Sequence, residues 1–252
     1  MSPDASIQAL LELSHQLGDE KSGLAILGEG NTSTRLEDGL FAVKASGSSL
    51  SNLDRAGVSR CHLSKVLDLF ERPDISDDET EAALLASRAF AQDRKPSVEA
   101  LFHAYLLGLP DVDFVGHTHP IGVNAIGCSP RAQEFASRRL FPDEIVCCGA
   151  QSVLVPYVNP GVPLARRIRD EVEAFRQRFG QVPRLILLQN HGMIALGKTA
   201  QAVLATTLMA EKAAQIWLGA AALGGPTFLS DEQVEYIAGW NAEAYRQKVL
   251  KL

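Results

Sequence analysis

Phe114-Val115-Gly116-His117-Thr118-His119-Pro120 is the stretch on which the reading of this chain turns. The mainly apolar run Val112 to Val115 reads as a short strand that delivers two histidines two residues apart. Residues i and i+2 of a strand share a face, so His117 and His119 can converge on one point. Two imidazoles aimed at one point suit a divalent metal such as zinc, which takes about three or four protein ligands. A His-x-His strand is equally compatible with a half-buried structural pair. The metal reading therefore needs further ligands elsewhere in the chain.

Downstream, His191 stands between two apolar runs, Leu185 to Leu188 and Met193 to Leu196, each read as a strand, and is flanked by Asn190 and Gly192. Glycine there lets the backbone come close or take a positive φ, which exposes a ligand residue at a strand end. Upstream, Pro96-Ser97 opens a predicted helix to Leu107 with Glu99 in its first turn. An acid in that place also stabilises a helix N-terminus without any other role. His103, four residues on, shares the helix face of Glu99. His15, in the first predicted helix, suits a partly exposed structural role, and His62 has no acidic or cysteine partner nearby in the sequence. No H-E-x-x-H motif exists, so a zinc-protease reading has no support.

Two small-residue loops offer backbone N–H groups, hydroxyls and an amide, the equipment for holding an anion: Gly28-x-Gly30-Asn31-x-Ser33 and Ser46-Gly47-Ser48-Ser49. The first lacks the third glycine of a dinucleotide fingerprint and the second lacks the lysine of a P-loop. Both also read as ordinary turns. The remaining pattern predicts a helix from Ser2-Pro3-Asp4 to Gly18, then strands at Leu24 to Leu27 and Leu40 to Lys44, the latter entered by an Asp38-Gly39 hairpin turn. Cys61 to Leu69 is open between strand and helix. Helices are predicted over Thr80 to Gln92, Arg131 to Arg138, Leu164 to Gly180 and Ala200 to Leu223, with a last one from Ser230 to about Leu250. Ile145 to Cys148 and Ser152 to Tyr157 read as strands. Helices alternate with short strands and hairpin signals recur, so the expected sheet is largely antiparallel with helices on its faces.

With 252 residues, 46% of them hydrophobic, the chain can form a core of ordinary size without disulfides, and a single domain over 1–252 is expected, with 231–250 as an extension. A net charge of −6 with scattered basic residues points away from nucleic acid and anionic membranes. No apolar run reaches the length of a membrane span. Met1 to Glu12 lacks a basic segment followed by an apolar one, so a cytoplasmic location is expected. Cys61, Cys128, Cys147 and Cys148 form no C-x-x-C pair and read as buried reduced thiols.

Five motifs in order, Gly30-Asn31-Thr32-Ser33, Lys44-Ala45-Ser46-Gly47, Pro96-Ser97-Val98-Glu99, His117-Thr118-His119-Pro120 and Asn190-His191-Gly192, resemble the class II aldolase/adducin family over about residues 5–222. The resemblance implies a three-layer α/β/α fold with a central, mainly antiparallel sheet, and a homotetramer with active sites between subunits. It implies a divalent metal, most often zinc with manganese, cobalt or magnesium as alternatives, held by His117, His119 and His191. Glu99 would complete the metal site and then act as acid or base. Asn31, Ser46, Gly47 and Ser97 would hold a substrate anion, and Tyr157 would protonate the leaving fragment, lent by a neighbouring subunit.

The implied reaction is aldol cleavage of a ketose or ketose phosphate through an enediolate whose charge a divalent ion stabilises. Decarboxylation of a 3-oxo acid passes through the same kind of species and is the next expectation. Epimerisation and an adducin-like assembly role follow. One position departs from the family's phosphate cradle: Val98 stands where the fuculose-phosphate enzyme has a second serine. The tracts Ser97 to Tyr105 and Pro156 to Gly161 look more like rhamnulose-phosphate-aldolase and decarboxylase-type relatives. His103 recurs in the family without being a ligand.

Overall fold

A computed structural model describes residues 2–240. Seven strands make one sheet: β1 (Asn31–Arg35), β2 (Leu40–Lys44), β3 (Val58–His62), β4 (Phe114–Thr118), β5 (Val153–Val155), β6 (Leu185–Leu188) and β7 (Gly192–Gly197). Their order is β3-β2-β1-β4-β7-β6-β5, and every pairing is antiparallel except β5 with β6. Asp38 and Gly39 both have positive φ, 57° and 70°, the backbone that lets a tight turn match the twist of β1 and β2.

Helices cover both faces, giving the three layers expected. α1 (Pro3–Leu17), α5 (Ile121–Gly127), α6 (Ala132–Ser137), α7 (Pro142–Cys148) and α9 (Ala200–Ala222) pack on one side. α2 (Leu63–Leu67), α3 (Asp77–Ala86), α4 (Ala100–Leu107) and α8 (Val162–Phe179) pack on the other, and α10 (Asp231–Ala238) follows α9. Strand alternation divides the two cores. Phe114, Leu185, Leu187, Met193 and Ala195 enter the first, while Val115, Ile186, Leu188, Ile194 and Leu196 enter the second. Burial on both faces explains why these strands read as continuous apolar runs rather than alternating ones. Because His117 shares the face of Val115, it points toward α4.

Several local expectations change. Leu24 to Leu27 is a loop, not a strand: Leu27 has φ 53° and both Ile26 and Leu27 are exposed. Ile145 to Cys148 belongs to α7, because Pro142 at the first position and Asp143 and Glu144 in the first turn start a helix there. Cys61 to Leu69 is divided: strand through His62, then α2 and a short 3-10 turn. α3 starts earlier than Thr80, at the Ser76–Glu79 capping box, and ends at Ala86, far short of Gln92. α4 starts at Ala100, so Ser97 and Glu99 sit on the turn before it. Cys128 is exposed, while the other three thiols are buried. The final stretch of the last expected helix, 241–250, lies outside the described residues. No helix among the described residues is long and apolar enough to cross a membrane.

Candidate active site

The ends of β4 and β7 bring three imidazoles together. His117 lies inside β4, His119 one residue beyond it, and His191 just before β7. Their ligand atoms all fall within 4.8 Å of one another. The approach requires glycine at 192, where a Cβ would lie 2.5 Å from the Thr118 carbonyl oxygen and 2.7 Å from the His119 ring. Asn190, at φ 56°, makes the turn that presents His191. The expected convergence is what the sheet register builds: His117 pairs with Asn31 of β1 on one side and Ile194 of β7 on the other.

Tautomers follow from the partners. Nδ1 of His117 lies 2.9 Å from the Met193 carbonyl oxygen, which can only accept, so Nδ1 carries the proton. Nε2 of His117 therefore turns its lone pair inward when the ring is neutral. It lies 3.0 Å from Nε2 of His119, whose Nδ1 faces Glu29 at 3.6 Å. Two inward lone pairs at that distance repel each other unless a cation or proton lies between them. Burial, then the charge of a protonated His117, pushes His191 down to about 4 and lowers His119 as well. Both shifts favour the neutral form that coordinates a metal. At His117 burial is outweighed by Glu99 and the Met193 carbonyl, which raise it, so an ion bound there would displace its proton. The donor set, three imidazole nitrogens and a carboxylate, suits zinc or another borderline divalent ion.

Glu99 stands over the cluster. Its Oε1 is 3.5 Å from His117 Nε2 and 3.6 Å from His191 Nε2. Burial works to raise its carboxyl, but the charge and hydrogen bond of His117, aided by His103 and His191, hold it well below the usual carboxylate range. Asn31 donates through Nδ2 to Glu99 Oε2 and, at 3.3 Å, to Ser97 Oγ. Ser97 Oγ also accepts the Glu99 N–H at 3.3 Å. The buried Oδ1 of Asn31 has no hydrogen-bond partner among the described residues, which leaves an acceptor for a ligand hydroxyl.

The loop of Ser46 and Gly47 lies beside this group. Ser46 N donates to the Lys95 carbonyl and Ser97 N to that of Lys44. Of the residues expected at the site, the fold therefore gathers His117, His119, His191, Glu99, Asn31 and Ser97, with Ser46 and Gly47 on the adjoining loop. Tyr157 is exposed, its N–H donates to Gln189 Oε1 at 3.4 Å, and its hydroxyl makes no hydrogen bond among the described residues. His103 is buried on α4 with Nδ1 2.7 Å from Ser33 Oγ, outside the three-histidine cluster, and burial pushes it down to about 3.

Three nearby residues carry no role in the sequence reading. Glu29, flanked by glycines, faces His119. Lys44 is buried at the end of β2 and its Nζ donates to the carbonyls of Gly28 and Ser48, tying the two small-residue loops together. A charged residue closing an otherwise apolar strand was the available signal. Arg94 holds the second loop from outside, with Nη1 3.1 Å from Ser48 Oγ and Nη2 3.2 Å from the Ser46 carbonyl.

The family described as Class II Aldolase and Adducin N-terminal domain matches residues 8–218, and the chain belongs to it. Among curated relatives, it is 30% identical over 189 residues to the 3-oxo-tetronate 4-phosphate decarboxylase of Haemophilus influenzae, covering 74% of this chain and 76% of that one. It is also 27% identical over 203 residues to a Bacillus subtilis protein named uncharacterized oxidoreductase YuxG. That match covers 77% of this chain but spans only 27% of the relative's length. Among solved structures, the L-fuculose-1-phosphate aldolase of Thermus thermophilus has the same fold, with a TM-score of 0.61 at 19% identity over 87% of this chain and 97% of that one.

Proposed function

We propose that this chain is a divalent-metal-dependent carbon–carbon lyase acting on a small oxygenated acid or sugar. The observation that carries the proposal is the cluster of three inward-facing imidazoles with the ionised Glu99 carboxylate against it. His117, His119 and His191 would hold the ion, zinc first. Bound there, a divalent ion polarises a carbonyl oxygen and stabilises negative charge developing on it. Glu99 would carry the proton to or from the carbon at which the bond breaks. Asn31, Ser97, Ser46 and Gly47 would hold the far, anionic end of the substrate, with the Arg94 guanidinium adding positive charge beside that loop. This cation supports a phosphorylated substrate even though exposed Val98 supplies no hydroxyl.

Of the two bond cleavages, decarboxylation of a 3-oxo acid is favoured by the 30% identical relative named as a decarboxylase. It also needs no acid for a departing aldehyde. Aldol cleavage, the first expectation from the sequence, is the second reading: it calls for Tyr157 or its equivalent from a neighbouring copy. A homotetramer would supply that copy, and exposed Ile26, Leu27 and Ile121 offer apolar surface for such contact.

A substrate screen with the zinc-loaded protein tests this. The expected result is carbon dioxide from a 3-oxo acid bearing a terminal phosphate, with less from its dephosphorylated form. Aldehyde from a ketose phosphate without carbon dioxide would move the assignment to the aldol reading, and no product from either class would overturn the lyase proposal.

A further inference from the structure

α5 begins directly after His119-Pro120 and has no capping side chain of its own, since Pro120 holds the N-cap position without a side-chain hydrogen bond. The N–H groups of its first turn would be left without acceptors. The Ile121 N–H meets the Gly23 carbonyl at 3.3 Å, and the next two are met from α9. Glu211, only 8% exposed, accepts the Gly122 N–H through Oε1 and the Val123 N–H through Oε2, each at 3.1 Å. These are the second and third helical positions, the ones a local capping side chain would serve. A Cβ at Gly122 would lie 2.8 Å from Glu211 Oε1, so glycine is what admits the carboxylate. Gln215 Nε2 donates to the same oxygen at 3.0 Å and holds it in place.

The flank of α5 touches the third histidine and its far end the residue before it. Asn124 donates through Nδ2 to the His191 carbonyl at 3.1 Å, and the Asn190 N–H donates to the Gly127 carbonyl at 3.3 Å. α5 thus bridges the two histidines that lie outside strands. His117 needs no such support because β1 and β7 pair on either side of it.

We propose that Glu211 and Asn124 are positioning residues that set the separation of His119 and His191 through α5, and thereby the metal affinity of the site. The proposal rests on the metal reading above. Glu211 lies on another helix, 89 positions from Gly122 in the sequence, and its hydrogen bonds go to Gly122, Val123 and Gln215 rather than to the rings.

The test compares wild type, Glu211→Gln, Glu211→Leu and Asn124→Ala in two measurements. One is zinc affinity by competition with a chromophoric chelator, and the other is the visible absorption of the cobalt(II)-loaded protein. Loss of groups that orient metal ligands weakens affinity about 10- to 100-fold. Glu211→Leu is expected in that range with an altered cobalt spectrum. Glu211→Gln, which keeps one acceptor oxygen, is expected to recover part of the loss, and Asn124→Ala to weaken binding about tenfold. A merely structural Glu211 would lower the unfolding midpoint of the metal-free protein while zinc affinity and cobalt spectrum stay at wild-type values, and that result would overturn the proposal. Should Glu211→Leu fail to fold, wild-type affinity and spectrum in both Glu211→Gln and Asn124→Ala would overturn it equally. A wild type that binds neither ion removes the metal reading and the brace with it, whereas unchanged variants of a metal-binding wild type remove the brace alone.

Discussion

Glu99→Gln is expected to keep its metal and to lose turnover by about 100- to 10,000-fold, the usual contribution of a positioned acid or base. The amide matches the carboxylate in shape. Its oxygen can still accept from Asn31, which donates to Glu99 Oε2 in the native chain. Its nitrogen, however, cannot take up a proton where Oε1 now stands, 3.5 and 3.6 Å from the Nε2 atoms of His117 and His191. The three imidazoles remain, so metal content should hold. Measured as turnover of the substrate found in the screen, alongside metal content, full activity would remove Glu99 from the chemistry. Loss of metal together with activity would make it chiefly a ligand.

The second large effect concerns stability. Arg139 is 1% exposed and its guanidinium donates to the Gly149 carbonyl at 2.7 Å, the Arg138 carbonyl at 2.9 Å and Ser152 Oγ at 2.8 Å. Its ion-pair partner Glu144, at 3.8 Å, is buried too and accepts the Leu140 N–H. This group joins the end of α6, α7 and the approach to β5. Burial lowers Arg139 and raises Glu144, so both charges sit in an unfavourable medium and depend on their partners. Arg139→Met strands the Glu144 charge and leaves several acceptors unmatched, and is expected to destabilise by about 3–5 kcal/mol. Removing both charges with Arg139→Met/Glu144→Leu should recover part of that loss, because the uncompensated charge is gone. Urea unfolding of the three proteins checks this. A single variant within about 1 kcal/mol of wild type, or a double variant no better than the single, would show that the pair does not hold this corner.

What the sequence makes legible follows from the range of each interaction. His117 and His119 can be read as a convergent pair because strand periodicity is local, and His191 because Asn190 and Gly192 mark a turn. The recurring hairpin signals and alternating helices make a largely antiparallel sheet with helices on its faces legible. The three-layer fold comes from the resemblance and agrees with runs such as Leu185 to Leu188, buried on both faces. α5 escapes a sequence reading because its cap comes from Glu211, so no local signal announces its start. Ile145 to Cys148 resembles a strand because a short helix buried nearly all round has the same unbroken apolar run, and only Pro142 with the acids behind it tells them apart. Leu24 to Leu27 resembles a strand for its composition alone, yet Leu24 serves through its carbonyl, which accepts the His119 N–H at 2.8 Å. Lys44 and Arg94 gain a role only once folding sets Gly28, Ser46 and Ser48 beside them. Tyr157 is named by the resemblance for a neighbouring copy's site, and a single chain shows only that it is exposed and that its N–H donates to Gln189 Oε1.

The metal decides the rest. The most direct measurement is elemental analysis of the purified protein after stripping with a chelator and reconstitution with zinc, repeated for His117→Ala and His191→Ala. The expected result is about one divalent ion per chain in wild type and little or none in either variant, as befits a three-histidine site. A wild type that retains no ion, or variants that retain as much as wild type, would contradict a metal centre at the ends of β4 and β7.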